Sequence, residues 1–236
     1  MSMNSLEEEI KKSEAKKKAR KAKPGGLPKL INIPRNWAHQ AISYLDRGEL
    51  YFRIISQVLE TALVYYLLAW LLALDSWIIF AIAFVIVHTL NWIFNSTFWA
   101  IIIFTFPWLR NPGEKATCDF LNDMAVRLRK SESIVGMAMY GSVTRKVWHD
   151  RSDLDMRIVR KPGLKYWLPA NLIMLRERII ATMAIQPMDM FLADGVKFLG
   201  LLRADEPPVF MILRDEALSK AYPGFEAIDE IHSLCE

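Results

Sequence analysis

The sequence predicts an α+β domain with a short mixed sheet, preceded by a helical hairpin of membrane-spanning length. Three observations predict it. Two apolar runs, residues 54–74 and 77–109, are almost free of charge. The break Asn111-Pro112-Gly113 ends them. Beyond it, short runs with strand alternation are interleaved with stretches of helical periodicity, the pattern of a two-layer domain.

In chain order, residues 1–26 form a basic tail with no apolar core, expected to be disordered. Residues 1–23 hold eight Lys/Arg and four Glu, which accounts for the whole net charge of +4; the rest of the chain is balanced. The tail suits anionic membrane lipid, at about 1 kcal/mol per basic residue near the surface. With no basic excess elsewhere, a nucleic-acid partner is not expected. No signal-peptide core precedes residue 50. Residues 27–53 mix Trp37, Ile42, Leu45, Tyr51 and Phe52 with charges, as in a short helix lying on the membrane surface or a loop packed on the domain.

Residues 54–110 form the hairpin plus an interfacial helix. At about 1.5 Å per residue, the run 54–74 extends roughly 31 Å, enough to cross the hydrocarbon. Glu60 within it either reaches the headgroups or faces a partner helix. The run 77–109 has no Asp, Glu, Lys or Arg. It exceeds one span and falls short of two, so we read a span at 77–93 and a re-entrant or interfacial helix at 98–108. Basic residues lie before the first span and after the second, and the turn Asp75-Ser76 has none. The positive-inside rule then puts both termini and the domain in the cytoplasm of a two-span cell-membrane protein. His88, Asn91 and Asn95 share one helix face. They imply hydrogen bonds to another helix, in the same chain or across a homo-oligomer or membrane partner, or contact with a lipid-linked headgroup.

Residues 111–236 form the domain. A helix at 115–130 carries Phe120, Met124 and Leu128 at four-residue spacing. Strands follow at 134–140 and 153–160. A helix at 168–183 is expected to turn Leu172, Leu175, Ile179 and Met183 inward. A third strand lies at 188–192, and an edge strand at 208–213, where Pro207 and Pro208 are tolerated. The tail from 216 reads as helical. Cys118 and Cys235 form no Cys-x-x-Cys, so zinc is not expected; both read as thiols of a reducing compartment.

The chemistry gathers at the second strand. Asp153 and Asp155 alternate with the apolar Leu154, Met156 and Ile158, so both acids point to one face. Two close carboxylates repel unless a cation lies between them, and Mg²⁺ fills that place when the substrate carries phosphates. Asp189 sits among apolar neighbours on the third strand, where a carboxylate costs several kcal/mol unless paired, protonated or bound to metal. If the two strands are adjacent, three acids meet. The basic Arg151 and Arg157 nearby are equally well read as site cations or as solvated surface.

Gly141-Ser142, ten residues, Asp-x-Asp, and then a later strand Asp resemble the DNA polymerase β-like nucleotidyltransferase superfamily, over residues 114–215. Arg145 matches the Gly-Ser-x-x-Arg form of small members. Lys146 departs from it, since those members often carry Gly there; the departure touches the loop's path and not the acids. The resemblance implies a magnesium-dependent enzyme that moves a nucleoside monophosphate from a nucleoside triphosphate to a hydroxyl acceptor and releases pyrophosphate. It implies that Asp153, Asp155 and Asp189 hold two Mg²⁺ ions (Mn²⁺ could replace them) and that Gly141, Ser142, Arg145 and Lys146 contact the nucleotide. Larger members bind the acceptor with a second helical domain; only about twenty residues follow the last strand here, so that task falls to the membrane segment, another subunit or a partner. The acceptor is then a lipid-linked or envelope intermediate. The alternatives are nucleotide transfer to a protein side chain, as in AMPylation, and a non-catalytic membrane module that senses nucleotide.

Overall fold

A computed structural model describes residues 31–106, 108–141, 149, 151–196 and 208–221. The expectations for the basic tail, Ser142, Arg145, Lys146 and the chain after 221 lie outside the described residues. Helix α1 (Asn32–His39) and a 3-10 turn (Ile42–Tyr44) lead into α2 (Arg47–Leu72), α3 (Trp77–Phe94) and the short α4 (Phe98–Thr105). The α+β domain follows as α5 (Glu114–Arg129), β1 (Ile134–Tyr140), β2 (Leu154–Arg160), α6 (Leu164–Met183), β3 (Met188–Ala193), β4 (Val209–Leu213) and α7 (Glu216–Ala221).

The sheet is small and mixed, in the order β3-β2-β1-β4. β1 runs antiparallel to β2 and β4, and β2 runs parallel to β3. Strand alternation sorts the faces. Ile134, Met137, Met139, Leu154, Met156, Ile158, Met188, Met190 and Leu192 pack with Leu121, Met124 and Leu128 of α5 and Met174 of α6 into the main core. The other face carries the acids.

α6 is turned differently from the sequence expectation. Leu172, Ile179 and Met183 face outward, and the buried residues are Ala170, Asn171, Met174, Glu177, Arg178 and Ala181. Ion pairing decides this. Glu177, fully buried, accepts from Arg127 of α5 at 2.8 Å and from the adjacent Arg176 at 2.5 Å, and Arg178 pairs with Glu49 at 2.5 Å. An inward apolar stripe would have left these charges unpaired. Cys118 is buried and disulfide-bonded rather than a thiol, its partner lying outside the described residues. A disulfide at Cys118 departs from the thiols expected of a reducing compartment.

α2 and α3 are long and apolar enough to cross a membrane, about 39 and 27 Å at 1.5 Å per residue. They pair as a hairpin and little of either is buried. Trp70 and Trp77 near the turn are 78% and 79% exposed, a bare apolar surface of a size that soluble proteins avoid. The polar stripe is satisfied within the chain. His88 Nε2 donates to the Trp37 carbonyl at 2.9 Å, and Asn91 donates to Glu60 at 2.7 Å and to Gln57 at 3.3 Å. Asn95 accepts from Arg178 at 2.8 Å. Glu60 thus faces the partner helix and not the headgroups.

α2 begins at Arg47, seven residues before the apolar run. The reason is its docking on β3, an edge strand whose outward backbone groups need partners. Leu192 N–H donates to Glu49 at 2.6 Å, Asp194 N–H to Asp46 at 2.8 Å, and Arg178 donates to the Met190 carbonyl at 2.5 Å. In return Gly48 N–H donates to Asp194 at 2.8 Å. A Cβ at Gly48 would meet that carboxylate at 2.3 Å, so only glycine allows the approach. The hairpin's first turn therefore takes the place of a neighbouring strand. α3 returns to the same end, where Thr182 of α6 donates to the Ile93 carbonyl and Trp99 of α4 donates to the Thr182 carbonyl.

Candidate active site

The site lies on the sheet face away from α5 and α6. Asp155 and Asp189 are direct register partners across the parallel β2–β3 pair, and Tyr140 is the partner of Asp155 on β1. Equal parity on adjacent strands puts all three side chains on one face. Asp153 stands just before β2. A small turn aims it. His149 N–H donates to Ser152 Oγ at 3.0 Å, Ser152 N–H returns a bond to the His149 carbonyl at 2.8 Å, and Asn111 ties both carbonyls down at 3.0 and 3.1 Å.

The three acids feel one another. Burial first, then the charges of Asp153 and Asp155, hold the Asp189 carboxyl well above the usual carboxylate range, with Arg157 pulling the other way. Asp189 is half-buried as a residue, yet its Oδ1 is fully enclosed and lacks a hydrogen-bond partner among the described residues. Asp153 is more open. Its carboxyl is also raised, chiefly by burial, with a backbone N–H and His149 opposing. An enclosed carboxylate oxygen without a donor, beside two further carboxylates, suits a hard cation with oxygen ligands. Among the described residues no three His, Cys, Asp or Glu side chains are arranged to hold an ion by themselves. The acids fit magnesium in the way substrate-dependent sites do, with phosphate oxygens completing the shell.

Gly141 ends β1 with φ +89°, and a Cβ there would lie 2.7 Å from Asp155 Oδ2. Glycine is required twice, for the backbone angle and for the approach. Gly141→Ala is expected to displace the Asp155 carboxylate and to lower turnover by about 10–10²-fold, the scale of a misplaced reacting group. An unchanged far-ultraviolet circular dichroism spectrum would locate the loss in the site.

Asp155 and Asp189 open onto a cleft of about 1100 Å³. Its floor is Tyr140, Asp155, Arg157, Asp189 and Phe191; its walls come from α1, the 3-10 turn and α4. The arginines near the acids have separate fates. Arg151 donates to the carbonyls of Ile103 and Phe104 at 3.1 and 2.7 Å, capping the end of α4. Arg157 follows Asp155 on the same face, and its guanidinium lies 4.3 Å from the centre of the Phe191 ring. The sequence left Arg157 equally a site cation or solvated surface; the walls carried no mark at all, because they come from residues 32–46 and 97–104, well upstream of the strands.

No match exists among protein-family models, curated proteins or solved structures. The reading of this site rests on its own residues.

Proposed function

We propose that this chain is a membrane-anchored, magnesium-dependent nucleotidyltransferase of the DNA polymerase β-like type. It would move a nucleoside monophosphate from a nucleoside triphosphate to a hydroxyl on a lipid-linked acceptor. The observation that carries the proposal is the pairing of Asp155 with Asp189 as register partners at one cleft, with Asp153 near enough for its charge to raise the Asp189 carboxyl. Asp153, Asp155 and Asp189 would hold the metal, which when bound neutralises charge on the phosphates and makes the acceptor hydroxyl more acidic. The Asp189 carboxylate, which lines the cleft, would take the hydroxyl proton. The hydroxyl oxygen forms a bond to the α-phosphorus. The bond from that phosphorus to the β-bridging oxygen breaks, and pyrophosphate leaves with the electron pair.

α2 leaves the domain and α3 returns to it, so the domain and the base of the hairpin share one side of a membrane. Arg47 and Arg53 lie at that base, which supports a cytoplasmic placement, the side on which nucleoside triphosphates are found. Detergent-solubilised protein given labelled nucleoside triphosphate, Mg²⁺ and membrane lipid extract is expected to label a lipid. Asp153→Ala should lower labelling by roughly 10²-fold or more, the loss typical of removed charge stabilisation at a reacting phosphate. Equal labelling by the variant would refute the proposal. Label found on protein would favour transfer to a side chain, and nucleotide binding without pyrophosphate release would favour a sensor.

A further inference from the structure

The cleft is larger than the acids and a triphosphate need, since pockets of about 300–1000 Å³ already enclose most of a drug-sized ligand. The surplus lies toward α1 and α4. Three observations say what it takes.

The first is Arg157. It is only 9% exposed. Phe191 covers one face of its guanidinium, and its Nη1 has no hydrogen-bond partner among the described residues. A buried guanidinium with an idle donor is costly unless an anion visits it. Asp189, whose enclosed Oδ1 is an idle acceptor, lines the same cleft, and the two idle atoms are not bonded to each other. A ligand with an anion and a hydroxyl can meet the two residues where they line the cleft.

The second is the facing wall. Asn32, Arg35, Asn36 and His39 line the cleft from one face of α1, three to four residues apart as one helix face requires. α1 is fixed to the hairpin. Trp37 donates to Thr89 at 3.1 Å, and Trp92 donates to Asn36 at 2.7 Å. One cation of the juxtamembrane helix, Arg35, thus lines the same cleft as Arg157.

The third is the apolar side of the cleft, Ile101 and Phe104 of α4, with Phe104 52% exposed. α4 follows directly on α3, at the base of the apolar hairpin. A cleft that holds two arginines beside the carboxylates of Asp46, Asp155 and Asp189, and is apolar along the side nearest the hairpin, matches an amphiphile whose phosphate lies at the arginines and whose chains run toward the bilayer.

We propose that the acceptor is an anionic phospholipid with a hydroxyl-bearing headgroup. Arg157, with Arg35 across the cleft, holds its phosphate, and the headgroup hydroxyl is presented to Asp189. This rests on the nucleotidyl-transfer reading for the reaction, but not for the binding. The phosphate could also come from a water-soluble phosphoester or from the nucleotide, and the experiment separates these sources.

Full-length protein in dodecyl maltoside is titrated, without nucleotide, with dioctanoyl phosphatidylglycerol, glycerol 3-phosphate and dioctanoylglycerol, and binding is read by tryptophan fluorescence. Phosphatidylglycerol is expected to bind saturably, at least tenfold more tightly than either fragment. Arg157→Gln should weaken it tenfold or more. Arg35→Gln, an exposed change that leaves the core untouched, should weaken it severalfold. Magnesium–ATP binding is measured in parallel and should be unchanged by Arg35→Gln. Equal lipid binding by wild type and both variants overturns the inference. So does glycerol 3-phosphate binding as tightly as the lipid, which would make the ligand a soluble phosphoester. Loss of ATP binding in Arg157→Gln with lipid binding intact would assign that arginine to the nucleotide. If wild type binds the lipid but never ATP, the transferase reading fails while the lipid site stands.

Discussion

Asp189→Asn is expected to make the metal-free protein more stable and at the same time to remove its activity. The two effects share one cause. Burial and the neighbouring acids raise the folded-state carboxyl above its ordinary value of 3.8, so the folded chain holds the proton more tightly than the unfolded chain does. Below about pH 3.8 both states are protonated and the group costs nothing. As pH rises from there toward the folded value, ionisation favours the unfolded chain and stability is lost; above the folded value the loss is complete. Asparagine cannot ionise and escapes this cost. In chelator, the unfolding midpoint of Asp189→Asn should exceed that of wild type at neutral pH, by about 2–4 °C for each kcal/mol relieved, and the gap should close toward pH 3.8. Magnesium with nucleotide should stabilise wild type and not the variant. Turnover should fall by about 10²–10⁴-fold, the usual contribution of a positioned base. A variant less stable than wild type at neutral pH in chelator would mean that the carboxylate is held by structural bonds, and the site would lose its claim to stored charge. Active sites commonly carry such a trade of stability for function.

The acids were legible in the sequence because strand parity is a local rule. Asp153 and Asp155 had to share a face once Leu154 and Met156 were assigned to the core, and β1 occupies the residues its apolar run indicated. The pairing of Asp155 with Asp189 needed β3 beside β2, which no local pattern dictates. Reading by hydropathy failed where charges are buried. Glu49 and Arg178 each look like surface residues, yet their pairing starts α2 early and turns α6 so that Leu172 and Ile179 face out. The cleft walls were illegible for another reason. α1 is polar enough to suit a membrane surface, and its place opposite Arg157 follows from bonds such as Trp37 to Thr89 across 52 residues.

Glu49→Ala is expected to be among the most damaging single changes in the molecule, costing about 3–5 kcal/mol, as removal of one partner of a buried ion pair does. Glu49 is fully buried, and its two oxygens serve Arg53, Arg178 and the Leu192 N–H. Its loss strands Arg178, whose guanidinium is pushed down to about 10 by burial, with the Glu49 charge opposing. At neutral pH that arginine stays charged, and among the described residues Asn95 and the Met190 carbonyl remain to it. Glu49→Gln should cost less than the alanine change, because the amide oxygen can still accept from Leu192. The reversed pair, Glu49→Arg with Arg178→Glu, should not restore stability. Arginine at 49 offers no acceptor to the Leu192 N–H, and glutamate at 178 turns its oxygens on the Met190 carbonyl. Bare Coulomb attraction would predict rescue; matching to the edge of β3 predicts none. The midpoint of denaturant unfolding in mild detergent decides between them, and limited proteolysis between α3 and β3 reports whether the hairpin has come away. Met190 directly follows Asp189 on β3 and Leu192 lies two positions further on, so activity should fall with docking even where the fold survives. The apolar hairpin is in this sense a structural part of the site, completing the edge of the strand on which its most buried acid stands.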